Sequence, residues 1–350
     1  MPHRPIIRAT IALAAAAVLA AGCGKRAEPP AAQAPDRASR GTPTRLKVGL
    51  VFDVGGRGDK SFNDAAWAGL ERARTGLGVE VQTLETGEGN DREAALRQLA
   101  AAGNQLVFGV GFLFSDDIRQ LATEFPNIKF ACVDYTVKPG EPLPPNLAAL
   151  TFREEEGSFL VGALAALLNH SGKLGFVGGM QIPLIKKFEA GYRAGVAAVD
   201  PRIAVLVKYA GTTGTAFKDP TKGKELGLAE YNQGADIIFH AAGSTGLGVF
   251  EAAREKQRLA IGVDSDQYDE APGFILTSMI KRVDNAVYDT IAKLELGEWH
   301  GGVQVFGLRE HGVGWVYDQH NQALVPAPVK ARVDSLEREI VAGRIAVPAQ

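Results

Sequence analysis

The chain has 350 residues, with 38 basic against 40 acidic side chains and a formal net charge of −2. Phosphate-backbone binding needs a clustered positive footprint, so this balance argues against nucleic acid as a partner. About 300 residues follow the N-terminal segment, more than one core usually holds and enough for two domains.

Arg4 and Arg8 precede an almost wholly apolar run from Thr10 to Ala21. About a dozen such residues cannot cross a bilayer core of about 30 Å, so residues 1–22 are expected to form a signal peptide. Leu19-Ala20-Ala21-Gly22-Cys23 resembles the lipobox of bacterial lipoproteins, which makes Cys23 the expected lipidation site. Residues 23–44 are rich in Ala, Pro, Arg and Ser and have no apolar period, the composition of a flexible tether. Acyl chains on such a tether anchor a body to a membrane without spanning it. The expected location is therefore a bacterial cell envelope, facing the periplasm or the exterior. With Cys23 spent on lipid, Cys132 has no disulfide partner and reads as a buried strand residue.

From Leu46 onward, short β-branched runs alternate with longer amphipathic stretches. The first strands are expected over 46–52, 79–84, 106–110, 128–133 and 147–152. A second set is expected over 173–177, 204–208, 237–240, 260–263 and 275–278, with late strands at 303–306 and 314–317. Helical patterns lie between them, at 91–102, 159–169, 184–199, 221–232 and 249–256, and a closing helix at 329–341. Such alternation argues βαβ units and two parallel sheets, an α/β architecture. Ligands of open parallel sheets bind beyond the carboxyl ends of the strands, so the residues just after each strand are the ones to inspect.

Asp53 ends the first strand and is followed by Val54-Gly55-Gly56-Arg57-Gly58-Asp59-Lys60-Ser61-Phe62-Asn63-Asp64. Ser61 and Asp64 read as an N-cap pair opening a helix, with Phe62 and Asn63 in its first turn facing a cleft. The same pattern also fits a capped helix with Phe62 in the core and Asp53 as a turn former. Gly243 to Gly248 forms a Gly-rich strand-to-helix turn, able to cradle an anion, to admit a ribose, or simply to turn tightly. It lacks both Walker and G-x-G-x-x-G spacing. Asp264-Ser265-Asp266 ends another strand, and Lys281 is expected to open a helix over 282–294. No H-E-x-x-H, H-x-x-x-H or G-x-S-x-G pattern appears, and nothing identifies a nucleophile or cofactor, so no enzyme and no cofactor is expected.

These segments, taken in order, resemble the basic membrane protein family of bacterial lipoproteins, whose members include purine nucleoside receptors of ABC transporters. The likeness rests on Asp53 to Asn63, Gly111 to Phe114, Gly175 to Met180, Ile182 to Ile185 and Phe188 to Tyr192. It continues through Phe217 to Asp219, Gly243 to Phe250, Gly262 to Gln267 and Ser278 to Lys281. The resemblance implies a type I periplasmic-binding-protein fold: two doubly wound lobes joined by three crossovers and closing on a ligand. It assigns residues 45–152 with about 266–300 to the first lobe, and about 153–265 with 301–347 to the second. It also implies roles: Phe62 and Phe217 as aromatic plates with Phe188 in reserve, and Asp53 and Asn63 reading a base. Asp134, Gly243, Asp264 and Lys281 would hold ribose hydroxyls. The expected partners are a nucleoside-like ligand, a transporter permease, and a membrane through the lipid anchor. The alternative is a ligand-sensing or structural lipoprotein of the same fold without a transporter.

Overall fold

The structure is a computed structural model that describes residues 45–87 and 91–350. The signal peptide, Cys23 and the tether lie outside the described residues. The first half runs β1 (Lys47–Phe52), α1 (Phe62–Gly76), β2 (Glu80–Glu85), α2 (Arg92–Ala101), β3 (Leu106–Val110), α3 (Ser115–Glu124), β4 (Lys129–Val133) and β5 (Leu147–Phe152). Then follow α4 (Glu154–Leu167), β6 (Lys173–Met180), α5 (Pro183–Val199), β7 (Ala204–Gly211), α6 (Pro220–Asn232), β8 (Ile237–Ala241), α7 (Thr245–Lys256) and β9 (Leu259–Asp264). The chain closes with β10 (Ile275–Lys281), α8 (Val283–Glu295), β11 (Gly302–Phe306), β12 (Val313–Trp315) and α9 (Ala327–Val341).

Two six-stranded sheets result, ordered β11-β5-β4-β3-β1-β2 and β12-β10-β9-β8-β6-β7. All pairs are parallel except β10 with β12. Central strands such as β3 (Leu-Val-Phe-Gly-Val) and β8 (Ile-Ile-Phe-His-Ala) are buried on both faces, which is why they read as continuous apolar runs. The edge strand β2 is largely exposed, with only Val81 and Leu84 partly buried.

The lobe boundaries differ from expectation in the last third. β10, which stood in the second set of strands but inside the bounds given for the first lobe, pairs with β9 in the second sheet, and β11, expected in the second lobe, pairs with β5 in the first. The chain crosses between sheets at Arg153, at Arg282 and again between β11 and β12. These crossings lie side by side, with the Arg153 N–H on the Phe306 carbonyl at 3.0 Å and the Arg282 N–H on the Gly312 carbonyl at 2.8 Å. Three adjacent single-chain crossings are the geometry of a hinge.

α4 is apolar nearly all round because α5 and α9 cover it as well as the sheet. α4 and α5 approach so closely that a side chain at Gly162 would meet the Tyr192 carbonyl, and one at Gly195 the Phe159 carbonyl. Backbone cannot yield as a flexible side chain would. Gly195→Ala is therefore expected to destabilise the protein by about 1–3 kcal/mol, read as a shifted urea midpoint with unchanged slope.

Candidate functional site

The nine residues singled out in the sequence line one cavity with about 610 Å³ of empty space, between the carboxyl ends of the two sheets. Its first wall is built around Asp59. This carboxylate accepts the backbone N–H groups of Ser61 (3.0 Å), Asn63 (2.8 Å) and Asp64 (3.1 Å), so Asp59 caps α1. The expected Ser61–Asp64 cap is not formed. The Ser61 hydroxyl instead faces the second lobe, and Asp64 accepts from the N–H groups of Gly58 and Lys60, bracing the glycine loop.

Asn63 is held at both ends of its amide. Its Nδ2 donates to Asp59 at 3.0 Å and its Oδ1 accepts the Asp53 N–H at 3.1 Å. This tethers α1 to the end of β1 and turns Phe62 into the cavity. Asp53 lies 3.7 Å from Arg92 and accepts the Val54 N–H at 2.7 Å. Burial pushes its pKa up to about 6, helped by the charge of Asp134 and opposed by Val54 N–H and Arg92. A side chain at Gly111 would collide with the Asp53 carboxylate, so only glycine fits beside it.

In the second lobe, Phe217 ends a short 3₁₀ turn over Gly214–Phe217. The start of α7 holds that turn: Ser244 Oγ donates to the Phe217 carbonyl at 3.0 Å and Thr245 Oγ1 to the Ala216 carbonyl at 2.8 Å. The Gly243–Gly248 turn thus spends its hydroxyls on positioning Phe217, and Gly243 itself lines the cavity. A side chain at Gly179 would occupy the space of the Phe217 ring, so the ring lies against bare backbone. Phe112, which the sequence reading assigned no role, sets its ring edge-on to Phe217, centroids 6.4 Å apart at 68°.

Lys281 is the last residue of β10 and not the start of a helix. Only 2% exposed, it sets its ammonium 2.6 Å from Asp134 Oδ2 and 3.1 Å from Glu154 Oε1. The rings of Phe62, Phe152 and Phe188 surround the same nitrogen at 5.1, 5.0 and 5.6 Å, within cation–π range. Burial alone would lower its pKa, but Asp134, Glu154 and Asp264 outweigh that and hold it raised. The buried Glu154 in turn meets the partly exposed Lys187 at 3.0 Å, a pair that sequence reasoning missed.

Asp134 and Asp264 end β4 and β9, equivalent strands of the two sheets, and both adopt left-handed backbone, φ 60° and 66°. Asp and Asn tolerate this conformation better than most residues, and such strain clusters at functional sites. The lobes meet here. Ser61 Oγ donates to Asp264 Oδ2 at 2.5 Å, and Gln267 Nε2 to the Lys60 carbonyl at 3.0 Å. Burial raises the Asp264 pKa to about 7 from 3.8, with Asp134 and Asp59 adding and Lys281 and Ser61 opposing. A carboxyl raised in the folded state costs stability as it ionises, so this cost grows as pH rises from about 4 to about 7. Asp264→Asn is expected to lose less stability than the parent between about pH 5 and pH 8, in urea melts of ligand-free protein. An equal loss in both would place the titration elsewhere.

Among the described residues no group of three or more His, Cys, Asp or Glu side chains is arranged to hold a metal ion. The cavity lining combines aromatic rings, carboxylates and one ammonium.

Comparison with known proteins places this architecture. Residues 46–350 match the family described as ABC transporter substrate-binding protein PnrA-like. The chain is 35% identical over 323 residues to a CD4+ T-cell-stimulating antigen of Listeria monocytogenes, covering 86% of this chain and 87% of that one. It is also 35% identical to basic membrane protein A of Borreliella afzelii, covering 86% and 91%. A solved ABC transporter solute-binding protein of Aeropyrum pernix superposes with a TM-score of 0.79 at 29% identity, over 87% of this chain and 94% of that one. Two parallel-sheet α/β lobes of the periplasmic-binding-protein type therefore carry a solute-binding role here and no enzyme activity. The chain belongs to the PnrA-like family of ABC transporter substrate-binding proteins.

Proposed function

We propose that the chain is a lipid-anchored, extracytoplasmic receptor that captures a nucleoside, a purine nucleoside foremost, and delivers it to an ABC transporter permease. One observation carries the ligand class: the cavity combines aromatic rings from both lobes with carboxylates at the strand ends. Phe62 and Phe217 offer faces for a flat heterocycle. Asp53 and Asn63 stand by Phe62 for its polar edge, while Asp134, Asp264, Gly243 and Lys281 offer acceptors and a donor for ribose hydroxyls. Lys281 is already neutralised by Asp134 and Glu154, so the cavity gives an anion little welcome. Mass spectrometry of the small molecule released on denaturation tests the ligand class, followed by calorimetry with that compound on stripped protein. A released sugar or amino acid would defeat the nucleoside reading and leave the receptor role intact.

Anchoring is tested separately. Cys23→Ser is expected to abolish acyl labelling and release the protein from membranes into the soluble fraction. Labelling that persists in the variant would remove Cys23 as the lipid site.

A further inference from the structure

A second cavity adjoins the first. Open to solvent, with about 1020 Å³ of empty space, it shares Phe112, Asp134 and Leu184 with the first. Phe112 follows β3 in the first lobe and Leu184 lies in α5 of the second, so the neck between the cavities is made by both lobes. Beyond the neck the lining is mainly apolar or hydroxylic, with Thr136, Val137, Ile182 and Pro183. Val137 is 45% exposed, one of few large apolar side chains so open to solvent among the described residues.

The charges along this wall are spoken for. Lys187, the cavity's one cationic lining residue among the described residues, donates to the Phe152 carbonyl at 2.8 Å and meets Glu154 at 3.0 Å. Asp134 gives Oδ2 to Lys281, while its buried Oδ1 has no hydrogen-bond partner at the junction of the two cavities. An acceptor is therefore left at the neck, and no unpaired cation is left beyond it to receive a phosphate.

We propose, resting on the nucleoside reading, that the solute extends through this neck. The receptor then takes nucleosides carrying a neutral, apolar substituent on the ribose 5′ carbon, and it discriminates against 5′-phosphates. The vicinal 2′ and 3′ hydroxyls are a donor pair suited to a carboxylate inside the first cavity. The exocyclic 5′ carbon is the ribose position free to leave it. A thioether or short alkyl group there meets Ile182, Pro183 and Val137, whereas a phosphate meets Asp134 and Glu154. Closure of the lobes clamps the substituent at Phe112 and Leu184.

The test is calorimetry on ligand-stripped full-length protein with adenosine, 5′-methylthioadenosine and adenosine 5′-monophosphate. The thioether is expected to bind within threefold of adenosine or tighter, and the monophosphate at least a hundredfold weaker. Thr136→Trp, at an exposed position whose backbone N–H still reaches Ser115 Oγ, should cut the thioether-to-adenosine affinity ratio tenfold or more. Adenosine binding with the thioether more than threefold weaker, an unchanged ratio in Thr136→Trp, or tight monophosphate binding would each overturn this inference alone. Failure of every nucleoside to bind would overturn the nucleoside reading, and the inference with it.

Discussion

Lys281→Met is expected to destabilise the ligand-free protein by about 3–5 kcal/mol near neutral pH, the cost of stripping one partner from a buried ion pair. Methionine matches the length of the lysine stem and keeps its contacts with the three phenylalanines, so the loss reports charge and not packing. Asp134 would remain buried against Glu154 with no ammonium between them. The pH dependence makes the assignment specific. The raised Lys281 pKa means that its contribution is full below the ordinary lysine range and is lost only as pH rises through the raised value, so it is constant across neutral and acidic pH. Asp134 is raised chiefly by burial and further by Glu154, with Lys281 opposing, so without the lysine its protonation relieves the strain as pH falls. The deficit of the variant should therefore shrink on acidification, and adding Asp134→Asn should recover much of it at neutral pH. A deficit equal at about pH 5 and pH 8 would mean that packing, and not charge, was lost.

The same lysine marks where the sequence could be read and where it could not. Strands were legible because buried parallel strands carry unbroken apolar runs, and looking just past them singled out Asp53, the Gly243 turn and Asp264, whereas Asp134, Phe188 and Phe217 came only from the family resemblance. Asp53, Asp134, Asp264 and Lys281 all sit at strand ends. The strand sets put β10 in the second sheet, where it lies, but the lobe bounds did not agree with them, and the sheet that takes β11 was not legible. β11 is a short alternating run, and only the three-dimensional course of the crossings at Arg282 and between β11 and β12 sends it to the first sheet. Lys281 looked like a helix opener because the strand–hinge–helix junction leaves a single residue, Arg282, between β10 and α8.

Capping shows a different limit. Ser61 has the right type and place for an N-cap, and local spacing favours it, but Asp59 reaches the same N–H groups through the turn that Gly58 and Lys60 make at positive φ. That frees the Ser61 hydroxyl for Asp264, two hundred residues away, a contact no local pattern encodes. Phe112 was hidden for a similar reason. Phe112 and Phe114 flank one leucine, and the φ of 115° at Gly111 decides that Phe112 faces the cavity while Phe114 enters the core. The likeness between the lobes also emerges only in space. Their strand orders repeat, so Asp134 and Asp264 are one structural position used twice.

Phe62→Ala is expected to weaken nucleoside binding by roughly tenfold to a hundredfold, since stacking of a base on an aromatic ring contributes about 1–3 kcal/mol. The ring is placed for this by Asp59, which caps α1 beneath it, and by Asn63, which ties that turn to Asp53. Phe62 is only partly buried and lines the cavity, unlike Phe52 or Phe108, which are fully enclosed. Truncating a core phenylalanine costs about 3–5 kcal/mol of stability, and a cavity-lining ring should cost much less. Lys281 provides an internal control, because its ammonium lies 5.1 Å from the Phe62 ring and loses one of three cation–π neighbours in the variant. That loss is a contribution of about 0.5–2 kcal/mol to stability and is present without ligand, so melting of stripped protein reads it directly. Calorimetry and melting on the one variant then separate stacking from packing. A variant that melts far lower yet binds with full affinity would remove Phe62 from the site, and with it the physical reason to favour a planar base over a sugar.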